Sequence, residues 1–142
     1  MGKTQSRAYE YTDSKCILIV EDDPMLGDLL LEALQQEETY GVLHALSGEM
    51  ALRILQTDVP ALVLLDYHLP GINGLELAEW LRSRKEHEHI PLLLISADIP
   101  REASGKKYLR TLQKPFELET LFQLVAELLA SGAQGDPGGT LR

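Results

Sequence analysis

Cysteine is nearly absent: Cys16 is the only one in 142 residues. A lone thiol excludes an internal disulfide and leads us to expect a reducing, cytoplasmic setting. Basic residues are also scarce, 13 Lys and Arg against 22 Asp and Glu, for a formal net charge of -9. No basic stripe is left to face a nucleic-acid backbone or an anionic lipid surface, so neither is expected as a partner. Nor is there an apolar run long enough to cross a bilayer, and the polar residues 1–14 lack the apolar region of a signal peptide. At this length one domain with a sizeable core is expected, without a second.

What is present is a series of short apolar runs, most of them ending in a chemically capable side chain. Cys16-Ile17-Leu18-Ile19-Val20 runs into Glu21-Asp22-Asp23, Leu62-Val63-Leu64-Leu65 into Asp66, and Leu92-Leu93-Leu94-Ile95 into Ser96. Uniformly apolar runs fit strands covered on both faces, as in the middle of a parallel sheet. Pro70, Gly71, Asn73 and Gly74 mark the exit loop after Asp66. Tyr40 to Leu46 is less continuously apolar and reads as an edge strand, and Tyr108 to Gln113 reads as a fifth strand before Lys114-Pro115-Phe116.

Helical spacing fills the intervals. Leu26, Leu29, Leu30, Ala33 and Leu34 share one face behind Asp23-Pro24, an N-cap with proline at the first helical position. Met50, Ala51, Ile54 and Leu55 should point inward behind Ser47, and a helix from about Gly74 to His87 should bury Leu75, Ala78 and Leu81. Residues 98–107 have room for a short or irregular helix at most, before a strongly amphipathic one carrying Leu118, Leu121, Phe122, Val125, Leu128 and Leu129. We therefore expect a flexible arm over 1–14, a folded domain over 15–130 and a flexible tail over 131–142. His44 reads as a packed or solvated residue, His87 and His89 as part of a solvated helix end, and Cys16 as core.

Strands alternating with helices predict an α/β domain with a doubly wound, five-stranded parallel sheet, because right-handed crossovers place helices on both faces. All strand ends then share one edge, where such sheets bind ligands. Glu21, Asp22, Asp66, Ser96 and Lys114 each lie at or just past a strand's carboxyl end. Asp23 is accounted for as the helix cap, but Glu21 and Asp22 are not; crowded carboxylates repel unless a cation relieves them.

On Val20-Glu21-Asp22-Asp23, Leu65-Asp66 with Leu69-Pro70-Gly71-Ile72-Asn73-Gly74, Ser96-Ala97 and Lys114-Pro115-Phe116, the chain resembles the response-regulator receiver domain of two-component signalling. The resemblance covers about residues 15–130. It implies the flavodoxin-like strand order 2-1-3-4-5 and a phosphorylation-dependent switch, with Asp66 accepting a phosphoryl group from a histidine kinase or a histidine phosphotransfer protein. It also implies Mg²⁺ as cofactor, held by Glu21, Asp22, Asp66 and the His68 carbonyl, with Lys114, Ser96 and the Ala97 N–H binding phosphoryl oxygens, and a cis bond before Pro115. The rival reading is a receiver-shaped interaction module that is never phosphorylated. An aspartyl-phosphate phosphatase is disfavoured, since His68 stands where a second Asp would act as acid and base.

Two departures from the family pattern stand out. Thr111 occupies the position where receivers carry a switching aromatic, and Tyr108, three residues earlier, falls on the opposite strand face. The interval from Ser96 to Lys114 is also short, at the expense of the fourth helix. Among receivers, the positions of His68 and Asp98 flank the path of the hydrolytic water, so an imidazole–carboxylate pair there would obstruct it.

Overall fold

A computed structural model describes residues 16–36 and 40–134. Five parallel strands, β1 (Cys16–Val20), β2 (Gly41–Ala45), β3 (Leu62–Asp66), β4 (Leu92–Ser96) and β5 (Leu109–Gln113), form one sheet in the order β2-β1-β3-β4-β5. The helices between and after them are α1 (Pro24–Gln35), α2 (Gly48–Leu55), α3 (Gly74–Arg82), α4 (Arg101–Ser104) and α5 (Leu118–Gln134). The expected doubly wound sheet and its 2-1-3-4-5 order are both present, and the fourth helix is indeed short, at 4 residues.

Alternation along each strand divides the core between the two faces of the sheet. Ile17, Ile19, Leu62, Leu64, Leu93 and Ile95 face α1 and α5, meeting Leu30, Leu34, Leu121 and Val125. Leu18, Val20, Val63, Leu65, Leu92 and Leu94 face the other way, against Ala51 and Leu55 of α2, Leu77, Ala78 and Leu81 of α3, and Ala103 of α4. Burying each such leucine contributes about 1.5–3 kcal/mol, which is why the uniformly apolar strands lie inside and register is fixed. β1 pairs with β2 and β3, and β4 with β3 and β5, so every strand ends on the same edge.

Several side chains differ from the helical-face reading. Leu29 is 52% exposed, and Met50 and Leu118 also lie at the surface. Met50 instead turns its Sδ to accept the Leu46 N–H at 3.2 Å. Helix α3 stops at Arg82, and the following turns carry His87 inward, 3% exposed, under Trp80. The His87 Nε2 lies 3.0 Å from the Leu55 carbonyl at the end of α2, so this imidazole serves the carboxyl end of another helix, not its own. Cys16 is half-buried, and burial, with the Asp58 charge nearby, pushes its thiol pKa up.

Helix α5 continues to Gln134, past the expected domain limit at residue 130. Residues 131–134 of the tail expected over 131–142 are thus helical, and the rest of it, like the arm expected over 1–14, lies outside the described residues. Among the described residues no helix is long and apolar enough to cross a membrane.

Candidate functional site

Asp66 is the last residue of β3 and is 7% exposed. Its Oδ1 accepts the His68 N–H at 3.1 Å, and its Oδ2 stands 3.4 Å from Lys114 Nζ. Helix α3 begins hard against it: the Gly74 N–H donates to the Tyr67 carbonyl at 3.0 Å, and a Cβ on Gly74 would overlap the Asp66 carbonyl oxygen. The connection that allows this includes Gly71 at φ +73°, a left-handed conformation that favours glycine. Asn73 then caps α3, accepting the Glu76 N–H at 2.8 Å while the Glu76 side chain accepts the Asn73 N–H at 3.0 Å.

Lys114 follows β5 and is fixed by its backbone, whose N–H donates to the Ser96 carbonyl at 2.9 Å. Its ammonium also lies 3.8 Å from Glu21 Oε1, between two buried carboxylates. The Lys114–Pro115 peptide is cis, as expected. Glu21, 4% exposed, accepts the Asp23 N–H through Oε2 at 3.1 Å. Burial above all pushes the Glu21 carboxyl pKa up to about 7; the Asp66 charge adds to the rise, while the Asp23 N–H and the Lys114 ammonium oppose it. Asp22 is exposed, and one carboxylate oxygen from each of Glu21, Asp22 and Asp66 lies within 4.8 Å of the others. Three anionic oxygen donors, two of them buried, suit a hard divalent cation. Asp23 does not join them, because its Oδ1 caps α1 by accepting the Met25 N–H at 3.0 Å.

Ser96 is fully buried at the end of β4, and its hydroxyl is occupied by the following loop: Oγ donates to the Asp98 carbonyl and accepts the Asp98 N–H, both at 3.3 Å. Ala97 is exposed, and its carbonyl accepts a hydrogen bond from Gln113 Nε2 at 3.1 Å. At the rim, His68 Nε2 and Asp98 Oδ1 meet at 2.8 Å. Five sequence-predicted residues from four strand ends thus gather on one edge, with Glu21, Asp22 and Asp66 clustered, Lys114 against Glu21 and Asp66, and Ser96 tied in through its carbonyl.

Two further residues contribute that the sequence did not assign to the site, one of them His44, expected to be merely packed or solvated. His44 on β2 places Nε2 2.8 Å from the Glu21 carbonyl oxygen. Gln113 holds the loop after Ser96. His44 pairs in register with Ile19, two residues before Glu21, a placement that becomes visible only once β2 is known to lie beside β1.

A 2-1-3-4-5 parallel sheet whose edge gathers a buried aspartate, an acidic pair and a lysine has the layout of a receiver. The family model described as the response regulator receiver domain matches residues 17–126, and the chain belongs to that family. The transcriptional regulatory protein MalR of Bacillus subtilis is 39% identical over 108 residues, covering 72% of this chain and 45% of MalR. The polar-differentiation response regulator DivK of Brucella ovis is 34% identical over 84 residues, covering 59% of this chain and 68% of DivK. This chain thus matches less than half the length of MalR. Among solved structures, response regulator protein TrrA from Thermotoga maritima, in complex with Mg(2+)-BeF, is 34% identical with a TM-score of 0.72, over 80% of this chain and 98% of that one.

Proposed function

We propose that this chain is a phosphorylatable receiver that takes a phosphoryl group onto Asp66 from a phosphohistidine on a histidine kinase or phosphotransfer protein. The observation that carries the reading is the surplus of charge around Asp66. One lysine suffices for a structural ion pair; here Lys114 faces two buried carboxylates, with the Asp22 carboxylate beside them. That excess negative charge calls for a cation, and the all-oxygen donor set fits Mg²⁺.

In the transfer, an Asp66 carboxylate oxygen attacks phosphorus as the phosphorus–nitrogen bond breaks; the electron pair leaves on the imidazole nitrogen, which takes up a proton. Mg²⁺ held by Glu21, Asp22, Asp66 and the His68 carbonyl would neutralise charge on the phosphoryl oxygens. Lys114, already 3.4 Å from Asp66, balances the remaining charge. The Ala97 N–H and the Ser96 hydroxyl bind the other oxygens once that hydroxyl leaves Asp98. A cytoplasmic setting agrees with the single cysteine.

Incubation with phosphoramidate, which carries a phosphorus–nitrogen bond, should add one phosphoryl group only when Mg²⁺ is present. Asp22→Ala should weaken Mg²⁺ binding by about tenfold or more, whereas Lys114→Ala should spare it, since only Asp22 supplies a ligand oxygen. Uptake that ignores Mg²⁺, or equal losses of metal affinity in the two variants, contradicts these roles. A folded protein that takes up no phosphoryl group would be the interaction module instead.

A further inference from the structure

His44 lies on β2, the strand at the sheet edge, yet its side chain reaches the exit of β1. The Glu21 carbonyl oxygen 2.8 Å from its Nε2 can only accept, so Nε2 carries the hydrogen. That carbonyl belongs to the peptide joining Glu21 to Asp22. The Glu21 N–H donates to the Ala45 carbonyl at 3.0 Å, so the peptide units on both sides of Glu21 are anchored to β2. Helix α1 leaves a slot for the ring: Gly27 is buried, and a Cβ there would overlap His44 Cε1 and Nε2.

Both carboxylates of the acidic pair hang from the peptide that His44 holds. Glu21 and Asp66 are buried side by side, and their repulsion favours any rotation of the β1–α1 connection that separates them. The hydrogen bond from His44 resists that rotation. We propose that His44 is a positioning residue for divalent-metal binding, setting the Glu21–Asp22 peptide so that both carboxylates point at one ion; this rests on the reading that Mg²⁺ binds there. Groups that orient metal ligands without touching the metal are typically worth about 10–100-fold in affinity.

The test is Mg²⁺ titration calorimetry on the full chain, with circular dichroism to establish folding, for the wild type, His44→Leu, His44→Gln and Gly27→Ala. His44→Leu should lose about tenfold in Mg²⁺ affinity. His44→Gln keeps an N–H donor at similar reach and should recover most of it. Gly27→Ala, which leaves the imidazole intact but evicts it from its slot, should resemble His44→Leu, and carries the test if that variant does not fold. A role in packing alone would lower the melting temperature and leave Mg²⁺ affinity unchanged, which would overturn the proposal, as would equal losses in His44→Leu and His44→Gln. A wild-type protein that binds no Mg²⁺ overturns both the metal reading and the role that rests on it.

Discussion

Glu21 and Asp66 are two carboxylates buried beside a single ammonium, and the metal-free site bears the cost of that crowding. Because the folded-state pKa of Glu21 is raised from 4.5 to about 7, its contribution to stability is fully present below the unfolded value and is lost as pH rises through about 7. In EDTA the melting temperature should therefore fall between about pH 5 and pH 8. Mg²⁺ should stabilise most at the alkaline end, where Glu21 is ionised. Glu21→Gln should flatten this part of the profile; an unchanged slope would show that another group sets it. The rim makes a second residue-scale prediction. His68 and Asp98 meet at 2.8 Å but are 59% and 78% exposed, so the pair is worth at most about 1 kcal/mol, or roughly fivefold in a rate. His68→Ala and Asp98→Ala should each speed dephosphorylation within that limit, and the double variant should show less than the product of the two effects. Multiplicative effects, or slower decay in either single variant, would reject an obstructing pair.

The departures from the family pattern act at the level of the element. With Thr111 opposite Leu94 on β5, no large ring is available there to swing inward. Tyr108 precedes the strand and lies against Arg82, whose guanidinium sits 4.6 Å from the ring centre. The loop after Ser96 is better placed to respond. Before Ser96 can donate to a phosphoryl oxygen its hydroxyl must release the hydrogen bond it gives to the Asp98 carbonyl, long at 3.3 Å, and α4 beyond is only 4 residues. Hydrogen exchange with and without Mg²⁺ and beryllium fluoride should thus change most over residues 97–107 and little at Tyr108. The reverse pattern would restore an aromatic switch. Element order and strand ends were legible because apolar runs covered on both faces have no other stable home. Less so were Leu29, Met50 and Leu118, for helical periodicity marks a face without saying how far the neighbouring elements extend over it. His87 was misread for the same reason: its partner, the Leu55 carbonyl, is distant in sequence and adjacent only in the fold.

Across the whole molecule, function depends on topology bringing together residues far apart in the chain. Glu21, Asp66, Ser96 and Lys114 come from four strands, and the parallel sheet aligns their ends without any local signal linking them. Glu21, Asp22 and Asp66 could be named from the sequence because they end apolar runs with charge, whereas Lys114 follows the mixed run Leu109 to Gln113 and was named from its place after the fifth strand and from the resemblance to receivers. Hydroxyl direction, the hold of Gln113 on Ala97 and the tie from His44 could not, since side-chain orientation follows from packing. Glu21 and Asp66 both face Lys114, accept a backbone N–H and share the acidic cluster, but Asp66 stands closer to the ammonium, at 3.4 against 3.8 Å, and ends the central strand β3. The most direct measurement is therefore the intact mass of wild-type and Asp66→Asn proteins after incubation with phosphoramidate and Mg²⁺, with circular dichroism to establish equal folding. The wild type should gain one phosphoryl group and Asp66→Asn none; an undiminished mass gain in a folded Asp66→Asn protein would contradict Asp66 as the acceptor.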